Sequence, residues 1–142
     1  MMIVLDASMA LSWLLKRKDL QEAELAKRTL DAVRASGATI PALWYAEVGN
    51  TLLLAERQKV VTAQESASYL SSLSDWEIVQ DLVHPELCQT QVLNLGRVCK
   101  LTAYDATYLE LAMRRGAQLA TFDRKLADAA RSAGVRVFGD PA

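Results

Sequence analysis

The sequence predicts an α/β fold: a three-layer sandwich in which a central, mainly parallel sheet is flanked by helices. Three observations point there. Short apolar, β-branched runs such as Ile3-Val4-Leu5 lack the polar alternation of a half-exposed strand, so both their faces should be buried. Segments with helical spacing of apolar residues separate these runs, and that alternation makes a parallel sheet covered on both sides. Strands also run straight into helix-starting polar residues, as at Asp6 and Asp123.

The elements follow in order. "MIVL" is the first strand, and Ala10, Leu11, Leu14 and Leu15 predict a helix from just after Asp6 to Leu15. "DLQEAELAKRTLDAVRASG" is a second amphipathic helix, stopped by Gly37. "ATIP" is a short strand and "ALWYAEVGNTLLLAERQ" a third helix. Thr62-Ala63-Gln64-Glu65 has the form of a capping box and opens a fourth helix. "WEIVQ" is a strand, and "PELCQTQVLNLGRVCKL" a helix with Pro85 in its first turn. Thr102 caps "AYDATYLELAMRR", which stops at Gly116. "AQLATF" is a strand, "DRKLADAARSAG" a helix stopped by Gly134, and "VRVF" a last strand. No repeat or linker interrupts this order, so residues 1–142 are expected to form one domain.

Composition narrows the function classes. A formal charge of −1 gives no overall pull toward nucleic acid, so such binding must use local basic patches. The start lacks a basic n-region and cleavage site, and no stretch is apolar enough to span a membrane. Cys88 and Cys99 lie three turns apart on one predicted helix, roughly 16 Å along its axis, too far for a disulfide. They read as small core residues of a reduced, cytoplasmic protein. His84 is the single histidine, which removes paired-histidine ribonuclease chemistry and any His-rich metal site.

In such sheets ligands bind beyond the carboxyl ends of the strands. Two junctions there carry a carboxylate and a hydroxyl two residues apart, Asp6-x-Ser8 and Thr121-x-Asp123. Asp105 falls in the first turn of its helix, where the dipole favours an anion. Glu47 shares a predicted helix face with Leu43, Asn50 and Leu54, and so should point inward. Taken singly these are two caps, a dipole acid and a stray glutamate. Together they are carboxylates without cations, which repel one another and raise each other's pKa. A hard divalent ion, Mg²⁺ or Mn²⁺, resolves that conflict with oxygen ligands alone.

"IVLDASMALSWLL", "PALWYAEVGNTL", "LTAYDATYLELA" and "LATFDRKL" together resemble the four acidic motifs of the PIN-domain ribonucleases, especially the VapC-type toxins of toxin–antitoxin pairs. The match spans essentially the whole chain, in the family's order and spacing. The resemblance implies a PIN-like fold and Mg²⁺- or Mn²⁺-dependent cleavage of RNA by metal-activated water. It places Asp6, Glu47, Asp105 and Asp123 in the catalytic, metal-binding set. Asp6 and Asp105 are expected to be the principal ligands. Asp123 and Glu47 would complete the shell or orient a water. Ser8, Asn50 and Thr121 match supporting polar positions.

Arg124 and Lys125 are candidate phosphate contacts because they adjoin Asp123. Lys16, Arg17, Lys18, Arg114 and Arg115 read as solvated charges near helix C-termini. Trp13, Trp44 and Trp76 read as core or interface residues. Rival metal folds fail by a residue each: a haloacid-dehalogenase-type phosphatase needs Asp where Ser8 stands, and an adhesion-type metal site needs Ser where Ala10 stands. A receiver domain would need paired acids on the first strand. Two readings within the fold stay open, a PIN-fold binding module without catalysis and a housekeeping nuclease without an antitoxin.

Two partners besides RNA are expected. The apolar triplets Trp13-Leu14-Leu15 and Leu52-Leu53-Leu54 exceed what one helix face can bury, which suggests a homodimer. The resemblance adds an antitoxin whose tail covers the toxin and reaches a basic side chain toward the acids.

Overall fold

The computed structural model describes residues 1–141. Four strands, β1 (Ile3–Leu5), β2 (Ala38–Ile40), β3 (Ile78–Gln80) and β4 (Gln118–Ala120), pair in the order β3-β2-β1-β4, all parallel. Seven helices flank the sheet: α1 (Ala7–Leu11), α2 (Leu20–Ser36), α3 (Leu43–Arg57), α4 (Ala63–Ser74), α5 (Pro85–Cys99), α6 (Ala103–Arg115) and α7 (Arg124–Ser132). This is the three-layer α/β sandwich that the alternating pattern predicts. Every residue of β1 and β2 is buried, while the edge strand β3 keeps Val79 exposed.

Chain order determines where a site can form. The chain steps from β1 to β2 to β3 in one direction and then returns to place β4 on the other side of β1. The strand order therefore reverses at β1, and the crevice opens at the carboxyl ends of β1 and β4. Those two strands are in register, Leu5 opposite Ala120, so the next residues, Asp6 and Thr121, are neighbours.

Local signals hold where capping chemistry decides them. The Thr62 hydroxyl accepts from the Glu65 amide at 3.1 Å, and the Glu65 carboxylate accepts from the Thr62 amide at 3.0 Å. Thr102 accepts from the Asp105 amide at 3.1 Å. Gly37 ends α2 at φ 78°, where a Cβ would stand 2.6 Å from the Glu77 carbonyl oxygen. Glycine is required there on both counts.

Three expectations need correction. Helix α1 stops at Leu11, not Leu15: the Ser12 hydroxyl turns back onto the Met9 carbonyl at 2.5 Å, and the Trp13 indole N–H donates to the Ala26 carbonyl on α2 at 3.0 Å. "VRVF" makes one bridge, Val137 beside Leu119, before Gly139 at φ 97° turns the chain away. The buried stripe of α3 is Trp44, Val48, Leu52 and Ala55, which leaves Leu53 and Leu54 exposed. Glu47 lies at the margin of that stripe and is half-buried.

Cys88 and Cys99 are free, part-buried and both on α5, as expected. Trp44 is a core residue, and Trp13 meets Trp76 edge-on with ring centroids 5.8 Å apart. Among the described residues no helix is long and apolar enough to cross a membrane.

Candidate active site

Asp6 follows β1 immediately and occupies the N-cap position of α1, yet its side chain accepts no capping bond from that helix. It is 5% exposed and turns across the β1–β4 junction instead. The Thr121 hydroxyl donates to its Oδ2 at 2.6 Å, and the Ser8 hydroxyl donates to the same oxygen at 2.7 Å. The backbone fixes the direction of both donors. The Phe122 amide donates to the Ser8 hydroxyl at 3.0 Å and the Asp123 amide to the Thr121 hydroxyl at 2.9 Å. Each hydroxyl has one proton, and the amides leave it aimed at Asp6. Among the described residues, the other carboxylate oxygen carries no side-chain hydrogen bond.

Asp123 serves twice. Its Oδ1 accepts from the Leu126 amide at 3.0 Å, a true N-cap of α7, while its charge acts on both Asp6 and Asp105. Asp105 is half-buried in the first turn of α6, close enough to Asp123 for the two carboxyl groups to share a hydrogen bond when one is protonated. Glu47 comes in from α3, within the field of Asp6 and Asp105, and accepts the Tyr108 hydroxyl at 2.6 Å. The charges of Asp6 and Asp105 thus link four acids from four separate segments.

Their proton affinities record the crowding. Burial pushes the Asp6 carboxyl above its ordinary range; Ser8 and Thr121 partly offset this, and the Asp123 charge adds to it. Burial also raises Glu47, against the Tyr108 hydrogen bond and with the charges of Asp6 and Asp105. Burial, then the charges of Asp123 and Asp6, push Asp105 up to about 6, with Lys125 pulling weakly the other way.

Among the described residues, no three His, Cys, Asp or Glu side chains stand close enough together to hold one metal ion. The donors themselves suit a hard divalent ion: all are oxygens, and burial, with the neighbouring carboxylate charges, raises the proton affinity of Asp6, Glu47 and Asp105.

The remaining predicted residues divide. Ser8 and Thr121 support Asp6 as expected. Asn50 is exposed, and among the described residues no hydrogen bond ties it to the acids, because the buried stripe of α3 turns it outward. Lys125 lies within the field of Asp105, and Arg124 is exposed at the start of α7.

Arg114 and Arg115 keep solvent contact but are not free charges: both bind Asp81, at 2.6 and 3.0 Å, and Arg114 also binds Glu110 at 2.8 Å. The places of two residues, Tyr108 and Arg17, differ from or go beyond the sequence reading. Tyr108 is fully buried and holds Glu47, and Arg17 stacks over the Phe122 ring, 4.3 Å from its centroid, beside the site. The available signal for Tyr108 is its place one turn after Asp105 on an apolar helix face, where a phenol needs an acceptor.

Comparison with known proteins agrees with this architecture. The PIN-domain family profile matches residues 3–132. The structure is similar to the crystal structure of PAE2754 from Pyrobaculum aerophilum, with 25% sequence identity, 90% of this chain and 78% of that chain covered, and a TM-score of 0.63. It is also similar to the crystal structure of FitAcB from Neisseria gonorrhoeae, with 18% identity, 97% of each chain covered and a TM-score of 0.65; this second likeness is one of fold. Among curated protein sequences nothing matches significantly.

Proposed function

The chain belongs to the PIN-domain family, and on that premise we propose that it is a metal-dependent endoribonuclease, the toxin of a toxin–antitoxin pair. PIN domains are generally nucleases, and those nucleases generally use divalent ions. The observation that carries the reading is that Asp6, Glu47, Asp105 and Asp123 act on one another near the strand-order reversal and, among the described residues, none of them is in a salt bridge.

Asp6 and Asp105 are the principal candidates to hold Mg²⁺ or Mn²⁺, with Glu47 and Asp123 beside them. When bound, such an ion supplies Lewis-acid stabilisation and a nucleophile usable near neutral pH. The protein's own part is positional. Ser8 and Thr121 fix one oxygen of Asp6. Lys125 and Arg124 adjoin the acids at the mouth of α7 and are placed to meet the phosphates of an RNA strand. Asn50 is exposed, so we assign it no supporting role.

The same uncompensated charge is a receptor for a basic side chain from an antitoxin, which would compete with the ion for the acids and inhibit without any conformational step. The exposed apolar residues Leu53 and Leu54 on α3 favour a homodimer. Light scattering at tens of micromolar should give twice the chain mass; a monomer mass would remove that part.

The central test is substitution. Asp6→Asn and Asp105→Asn keep shape while removing the charge that holds a hard cation. Each should lower Mn²⁺-dependent RNA cleavage by at least about a thousandfold, equivalent to about 4 kcal/mol, with an unchanged circular dichroism spectrum. Near-wild-type cleavage by either variant would overturn the assignment.

A further inference from the structure

We propose that Tyr108 is a positioning residue that holds Glu47 in the acidic crevice. The inference rests on the reading that Glu47 belongs to the ion-binding set. Glu47 projects from the margin of α3 and is half-buried, so nothing in its own helix prevents it from swinging into solvent. The charges of Asp6 and Asp105 would drive it there. Among the described residues its one side-chain hydrogen bond comes from Tyr108, whose hydroxyl donates to Oε1 at 2.6 Å.

Tyr108 suits that task. Its side chain has no exposed surface, so the ring is fixed by packing and its O–H is a stationary post. It lies one turn beyond Asp105 on α6, so a single rigid helix presents Asp105 and clamps Glu47. Because only Oε1 is engaged by the phenol, Oε2 remains available to the crevice. Full burial also keeps Tyr108 away from any substrate, which makes it a positioning residue and not a catalytic one.

A second buried phenol supplies the control within the same molecule. Tyr69 donates to the Ala10 backbone carbonyl at 2.5 Å, an acceptor that ties two helices together and carries no charge. A buried phenol needs some acceptor, and a carbonyl suffices. At Tyr108 the acceptor is a carboxylate that would otherwise leave.

Tyr108→Phe keeps the ring and deletes the donor. The variant should bind Mn²⁺ about tenfold more weakly in titration calorimetry. Its kcat should fall by about tenfold or more with KM for RNA changed less than about twofold, and its metal-free melting point should stay within a few degrees of wild type. Glu47→Gln should weaken Mn²⁺ binding on its own. Tyr108→Phe added to Glu47→Gln should then cost no further affinity, since both act through one carboxylate. Undiminished Mn²⁺ binding by Tyr108→Phe, or additive losses in the double variant, would overturn the proposal alone. Wild-type protein that takes up no Mn²⁺ would overturn the ion-site reading and this proposal with it.

Discussion

Among the described residues, two of the clusters of charge are built on opposite rules. On one side of the sheet, Arg114 places its guanidinium between Asp81 and Glu110, at 2.6 and 2.8 Å, and Arg115 adds a bond to Asp81 at 3.0 Å. Against the burial that would raise it, these hydrogen bonds hold the Asp81 carboxyl below its ordinary range, and they raise the Arg114 guanidinium. At the crevice, Asp6, Glu47 and Asp105 are all pushed the other way. Two acids with two cations make a strut; at the crevice four acids have Lys125 as a weak counter-charge on Asp105. The difference separates a cluster whose charges are paired within the fold from one whose acids are raised by burial and by one another.

Substitution should separate the two functions cleanly. The largest effect expected is the loss of cleavage in Asp6→Asn and Asp105→Asn, while the corresponding change in the strut, Arg115→Gln, should leave cleavage within about twofold of wild type. Next in size is the response to the ion. At a hundred times its dissociation constant, Mn²⁺ should stabilise the native state by about 2.7 kcal/mol, read as a rise of several degrees in melting temperature. Asp6→Asn should lose that rise. A wild-type melting curve indifferent to millimolar Mn²⁺ would erase the distinction between the clusters.

The strut should break in the converse sense. Arg114→Met leaves Asp81 and Glu110 without their main cation; both carboxylates are 8% exposed. Removing one member of a buried pair costs several kcal/mol, and the part-exposed guanidinium reduces this to about 2 kcal/mol. Urea unfolding should show that loss, with Mn²⁺ binding unchanged. A variant as stable as wild type would show that the pairing is ornamental.

The crevice was readable in the sequence because its parts are local. Asp6, Asp105 and Asp123 each stand where a strand ends or a helix begins, positions marked by caps such as Thr102. The α/β order was readable for the same reason. What escaped depends on contacts between distant segments. Helix α1 ends early because Ser12 and Trp13 find partners on Met9 and Ala26. The side of α3 that turns inward follows from how Trp44, Val48 and Leu52 pack, which carried Asn50 and Leu54 outward. The pairing of Arg114 with Asp81 spans 33 residues and two elements, and no local spacing announces it.

The smallest expected effect is also the one that sets the two clusters against each other in a single titration. Asp105 has a native pKa of about 6, above its ordinary value of 3.8. Between those values the native protein binds more protons than the unfolded chain, so stability falls as pH rises from about 4 to about 6 and is flat beyond. Asp81 is lowered, so its contribution is present above about pH 4 and disappears as pH falls through its native value. Without metal, Asp105→Asn should therefore match wild type near pH 4 and exceed it at pH 7. The full equivalent of the Asp105 shift, about 3 kcal/mol, shrinks to about 1 kcal/mol because half the group remains within reach of solvent. Asp81→Asn should give the opposite profile, a deficit at pH 7 that closes under acid. Saturating Mn²⁺ should reverse the sign for Asp105 at pH 7, since the charge that repels its neighbours is the charge that holds the ion. A stability difference between Asp105→Asn and wild type that stays constant from pH 4 to pH 7 would mean that the crevice acids do not strain the fold.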